Sequence, residues 1–153
     1  MEIIFVKEPA EKSRCVQEVL LDLPEWFGLP ESTQEYIEKS KEFPLWCVKK
    51  EEEYLGFISL SSTSEDTAEI YCMGVKKEAH HQGIGKQLFH TAEEYAKKQY
   101  KFLQVKTVDE GLYPQYDQTI RFYKSLGFSK LEVFPYLWDE WNPCLVLVKK
   151  LAV

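Results

Sequence analysis

The chain has 153 residues, 44% hydrophobic and 29% charged, which is the composition of a soluble globular protein and enough for one folded domain over 1–153. Its 19 basic against 25 acidic residues leave a formal charge of −6 with no basic stripe, which argues against a nucleic-acid partner. No apolar run reaches the roughly 20 residues that span a bilayer, and "MEIIFVKEPAEKSR" lacks the pattern of a cleavable leader, so a cytoplasmic protein with no membrane partner is expected.

In chain order, "IIFVK" (3–7) reads as a short β-branched strand. "PAEKSRCVQEVLLDL" sets Cys15, Val16, Val19, Leu20 and Leu23 at helical spacing and predicts an amphipathic helix. The turn-like "PEWFGLP" leads to a more polar helix, "ESTQEYIEKSKEF". "LWCVKK", "YLGFISLSS" and "TAEIYCMGV" read as three strands whose short connections make them antiparallel neighbours. "GIGKQLFHTAEEYAKKQY" is a helix with Ile84, Leu88, Ala92, Tyr95 and Ala96 on one side, and "KFLQVKTV" is a strand. "DQTIRFYKSLGF" is a short helix capped by Gly127. "FSKLEVF" and "CLVLVKKL" are the last strands, and "PYLWDEWNP" between them reads as a long aromatic and acidic loop, with Asn142-Pro143 as a tight turn launching the final strand. The order β-α-α-β-β-β-α-β-α-β-β predicts an α/β (α+β) fold, a single mixed, mostly antiparallel sheet flanked by helices.

Cys15, Cys47, Cys72 and Cys144 match no metal-binding or redox spacing, so they read as reduced core residues, and no metal site is expected.

The distinctive stretch is "HHQGIGK", between a strand and a helix. The first amides of a helix have no intrahelical acceptor and, with the helix dipole, form an anion site. Glycines let those amides approach a phosphate closely. Lys76, Lys77 and Lys86 would add positive charge nearby. A dinucleotide fingerprint would need a third glycine where Leu88 stands, and a P-loop would need Ser or Thr where Gln87 stands, so both of those readings fail.

His80-His81-Gln82-Gly83-Ile84-Gly85 resembles the coenzyme A loop of the GCN5-related N-acetyltransferases (GNAT), [QR]-x-x-G-x-[GA] between a strand and a helix. "IRFYKSLGF" (120–128) is similar to that family's second signature, F-Y-x-x-x-G-F, and the element order matches its fold over 3–151. The resemblance implies an acyl-CoA N-acyltransferase fold and acetyl transfer from acetyl-CoA to a primary amine of a small molecule or peptide, by direct attack in a ternary complex without a metal. It implies that His80, His81, Gln82, Gly83, Ile84, Gly85 and Lys86 hold the pyrophosphate, and that Met73, Gly74 and Val75 pair with the pantetheine arm as an added strand. Tyr116 stands where the family often carries an Asn on that arm. Homodimers are frequent in the family.

An acceptor amine, protonated near neutral pH, needs a general base, and Glu69 on the strand before the loop is the candidate. Strict alternation would set Glu69, Tyr71, Met73 and Val75 on one face. A solvent-facing or ion-paired Glu69 is the competing role. Tyr123 matches the family's general acid, against a purely structural tyrosine. The resemblance maps the acceptor pocket onto the first two helices and the last loop. There Trp26, Phe27, Tyr36, Tyr136, Trp138 and Trp141 lie near Glu25, Asp139 and Glu140, a composition suited to a cationic amine. The alternatives are a non-catalytic coenzyme-binding module and a transferase of longer acyl chains.

Overall fold

Proline at the first turn of a helix forgoes an N–H that has no partner there anyway. Pro9, Pro30 and Pro114 open α1 (Pro9–Leu21), α2 (Pro30–Lys39) and α4 (Pro114–Ser125) in this way. The computed structural model describes residues 2–152. Its remaining elements are β1 (Glu2–Val6), β2 (Leu45–Lys50), β3 (Glu53–Ser62), β4 (Thr67–Val75), α3 (Ile84–Ala96), β5 (Phe102–Val108), β6 (Ser129–Asp139) and β7 (Asn142–Lys150). The expected order of elements is therefore present. Gly127, at φ +100°, ends α4 with the amide of Phe128 donating to the Tyr123 carbonyl.

The strands form one seven-stranded sheet in the order β1-β2-β3-β4-β5-β7-β6. Every neighbouring pair is antiparallel except β4 and β5. Those two share only the rungs Thr67–Phe102, Ala68–Leu103 and Glu69–Gln104, and then diverge. Beyond Glu69–Gln104 no rung joins the two strands, which leaves a gap in the ladder between Ile70–Val75 and Val105–Val108.

Helices α3 and α4 cover one face, where Ile58, Leu60, Ile70, Phe89, Leu103 and Leu145 form the larger core. On the other face α1 and α2 bury Val16, Val19, Leu20, Leu45, Phe57 and Cys72. All four cysteines are free and buried. Among the described residues no helix is long and apolar enough to cross a membrane, and no group of three or more His, Cys, Asp and Glu side chains is placed to hold a metal ion.

The structure corrects two expectations. First, β4 does not alternate strictly. Ser59 pairs with Cys72 but Leu60 pairs with Ile70, so Tyr71 is an extra residue in a β-bulge. Met73 and Val75 consequently lie on the α3/α4 face with Ile70, whereas Glu69 and Tyr71 lie on the α1/α2 face. Second, "PYLWDEWNP" is not a loop. Its first five residues continue β6, and Asp139 closes a tight turn by accepting from the amides of Trp141 and Asn142 at 2.9 and 3.0 Å. Pro135 is tolerated there because β6 is the sheet edge, where a missing N–H breaks no inner ladder.

Burial raises the phenols of Tyr36, Tyr54, Tyr71, Tyr116 and Tyr123 above the ordinary value of 10.0, Tyr71 to about 12. The unfolded chain ionises these groups at lower pH than the folded chain does. Their contribution to stability is therefore complete below about pH 10 and falls as pH rises through the folded values. A melting temperature that declines above pH 10 together with the rise of phenolate absorbance is the expected result. A flat profile through that range would contradict it.

Candidate functional site

The expected phosphate loop follows β4. A short 3-10 turn, Lys77–Ala79, leads to His80, and Gly83 is the N-cap of α3 in the left-handed conformation, φ +78°. Among the described residues, no side chain caps this helix. Among the described residues, none of the amides from His81 to Lys86 has an intrachain acceptor, and the ladder begins with Gln87 N–H to Gly83 at 3.0 Å. A Cβ on Gly83 would meet nothing within 4 Å, so glycine is required there by its left-handed backbone and not by crowding. At Gly85 a Cβ would come within 3.3 Å of Phe122 and 3.4 Å of Met73, so glycine there seats α3 against α4 and β4. His81 adopts φ +63°, a strained turn for a residue with a Cβ. Chemically this is a cradle of free N–H donors, and it fits a diphosphate.

His80 stands where the family motif has Gln or Arg. Its Nε2 lies 2.6 Å from the Val75 carbonyl and donates to it, fixing the tautomer and tying the loop to the end of β4. Lys86 is exposed on the first turn of α3. Lys76 and Lys77 are already engaged, contrary to expectation. Lys76 sits 2.7 Å from Glu18 and 3.1 Å from Glu53, and Lys77 sits 2.6 Å from Glu25.

The open edge of β4 differs in one residue from what was expected. Lys76 N–H donates to Leu55 at 2.8 Å, and main-chain direction alternates along a strand. Val75 and Met73 therefore turn their main-chain groups toward the gap, while those of Gly74 serve β3 through its pairing with Phe57. Gly74 has a different use. A Cβ there would lie 3.0 Å from Leu23 and 3.1 Å from Val19, so it admits α1.

Glu69 lies at the root of the gap, 8% exposed, on the α1/α2 face. Gln104 Nε2 donates to its Oε1 at 3.2 Å, and Lys106 Nζ is 3.3 Å from the same oxygen. The ion-paired role weighed from the sequence is thus present. Sequence reasoning missed Gln104 and Lys106. Their only signal was a polar residue and a lysine two apart in an otherwise apolar strand.

Tyr123 is on the opposite face, 5% exposed, in contact with Phe122 and Phe128. Its hydroxyl has one partner among the described residues, Met73 Sδ at 3.8 Å. A thioether is a weak acceptor, and burial holds this phenol well above its ordinary value, so it stays protonated at neutral pH.

The aromatic residues divide into three groups. Phe27, Tyr36 and Tyr71 form a wall on the α1/α2 face, with ring centroids 5.8 and 5.3 Å apart, and Phe43 meets Tyr71 at 4.8 Å. Trp26 does not join them. It packs edge-on to His80 at 6.1 Å, and its Nε1 donates to the Gln115 carbonyl at 3.2 Å. Tyr116, expected on the pantetheine arm, instead donates to the Trp26 carbonyl at 2.9 Å. The α1–α2 connection is thereby clasped to the start of α4. Trp138, Trp141 and Tyr136 lie exposed on the β6–β7 hairpin, 45%, 74% and 84%, away from that wall.

A family model for the acetyltransferase (GNAT) family matches residues 13–128. Among solved structures, an acetyltransferase of the GNAT family from Desulfovibrio desulfuricans is similar over 99% of this chain and 100% of its own, at 17% identity and a TM-score of 0.85. An aminoglycoside 6'-N-acetyltransferase complexed with coenzyme A is similar over 100% of this chain and 98% of its own, at 18% identity and TM-score 0.77. A GNAT family acetyltransferase from Elizabethkingia anophelis with acetyl-CoA bound is similar over 98% and 97%, at 20% identity and TM-score 0.67. At these identities the likeness is one of fold. No curated protein matches the chain. The matched model spans most of the sequence, including the amide cradle and the Tyr123 helix, and the chain belongs to the GNAT family of acetyltransferases.

Proposed function

We propose that the chain, working as one N-acetyltransferase domain over 1–153, transfers an acetyl group from acetyl-CoA to a primary amine of a small molecule or peptide by direct attack in a ternary complex. The observation that carries this reading is the run of acceptor-free amides from His81 to Lys86, which adjoins a gap with Glu69 on one face and Tyr123 on the other. The amides and Lys86 bind the diphosphate. The main chain of Met73 and the N–H of Val75, whose carbonyl is held by His80, pair with the pantetheine arm. When bound, the co-substrate supplies an activated acyl group as its thioester.

The acceptor enters from the α1/α2 face, along Phe27, Tyr36 and Tyr71. Its ammonium takes the place of Lys106 beside Glu69, which removes a proton so that nitrogen can attack. Tyr123 donates a proton at the sulfur as the carbon–sulfur bond breaks. The aromatic wall with a carboxylate at its base favours a cationic amine. A cytoplasmic setting suits the four free cysteines.

Acetyl-CoA at about 100 times its dissociation constant is expected to stabilise the protein by about 2.7 kcal/mol, or roughly 5–10 °C in melting temperature. An unchanged melting temperature at millimolar ligand would defeat every coenzyme A reading. A purely binding module would show the shift without releasing thiol to any of a panel of amines.

A further inference from the structure

The Glu69–Lys106 pair has more than a structural reading. The last rung between β4 and β5 joins Glu69 to Gln104. Lys106 lies two residues further along β5, on the same face, so it stands level with the Tyr71 bulge across the opening gap. Its side chain is 36% exposed, and its Nζ is 3.3 Å from Glu69 Oε1. An amine is thus already seated where the acceptor's amine is required, on the carboxylate that is to deprotonate it and on the acceptor side of the gap. Four flexible methylenes let it swing without moving the strand.

We propose that Lys106 is an internal acceptor, acetylated on Nζ by the protein's own active site when no external amine is bound. This rests on the acetyl-transfer reading above. The Lys106 ammonium gives one proton to Glu69, which passes it to water. The freed nitrogen bonds to the thioester carbonyl carbon, and the carbon–sulfur bond breaks with its electron pair on sulfur. Tyr123 protonates the departing thiolate and is restored by the second proton that the nitrogen sheds. Nothing is oxidised or reduced. The products are Nε-acetyl-Lys106 and coenzyme A thiol, one per chain. The acetylated side chain carries no charge, so Glu69 loses its cation and the reaction ends there.

The experiment incubates the purified full chain with acetyl-CoA and no added amine. It follows intact mass, peptide maps and melting temperature. The expected result is one acetyl group, on Lys106, added roughly tenfold or more faster than on the exposed Lys101, in keeping with base catalysis. Lys106→Arg abolishes it, and Glu69→Gln slows it to the rate of the exposed lysines. Label spread evenly over surface lysines overturns the inference. So does an unlabelled Lys106 in a preparation that acetylates external amines, and in that case the acetyl-transfer reading stands. No label, no thiol release and no melting shift would overturn both.

Discussion

Tyr123→Phe is expected to lower turnover by roughly 100-fold or more, the lower range for a positioned proton donor, with coenzyme A affinity unchanged. The phenol ring packs in the core between Phe122 and Phe128, and Phe keeps that packing. The hydroxyl gives up only a 3.8 Å contact with Met73 Sδ, so melting temperature should barely move. Burial raises this phenol above its ordinary value of 10.0, so it remains protonated at neutral pH. The loss should therefore be the same at every pH from slightly acid to slightly alkaline. Thiol-release kinetics and a coenzyme A titration on the same preparation check this. Equal losses in turnover and binding would make Tyr123 a structural residue.

Glu69→Gln is the second large effect. Gln preserves the shape beside Gln104 and removes the proton acceptor, so kcat/KM should fall by about 100-fold to 10,000-fold. The pH–rate profile should change shape, because the variant depends on acceptor that has already lost its proton. Lys106 loses its counter-ion, but its side chain is 36% exposed and water takes over, so the cost in stability should stay within about 1 kcal/mol. An unchanged profile would leave Glu69 as half of an ion pair and nothing more.

The parts of this site that were legible in the sequence are those written in local chemistry. Two glycines at the start of a helix state their own reason, since Gly83 needs a left-handed backbone and Gly85 a close approach. The helix faces were legible for the same cause, and Cys15, Val16, Val19 and Leu20 are buried where their spacing put them. The bulge at Tyr71 was not legible. "TAEIYCMGV" is apolar on both faces because helices cover both sides of β4, so its pattern carries no phase to betray an extra residue. Nor was the continuation of β6 through Pro135, which only its edge position permits. Lys106 escaped because its partner lies 37 positions away, across the one parallel pairing in the sheet, and only the register of β4 on β5 brings the two together.

The divergence of β4 from β5 carries a liability for any attempt to harden this protein. Closing the rungs up to Val75 would give the sheet more ladder bonds and would plug the groove where the chemistry is proposed to occur. Variants selected for heat resistance alone can gain there by sealing it. Thermostable descendants of this chain should therefore be checked for a lost cleft before their improved melting is welcomed.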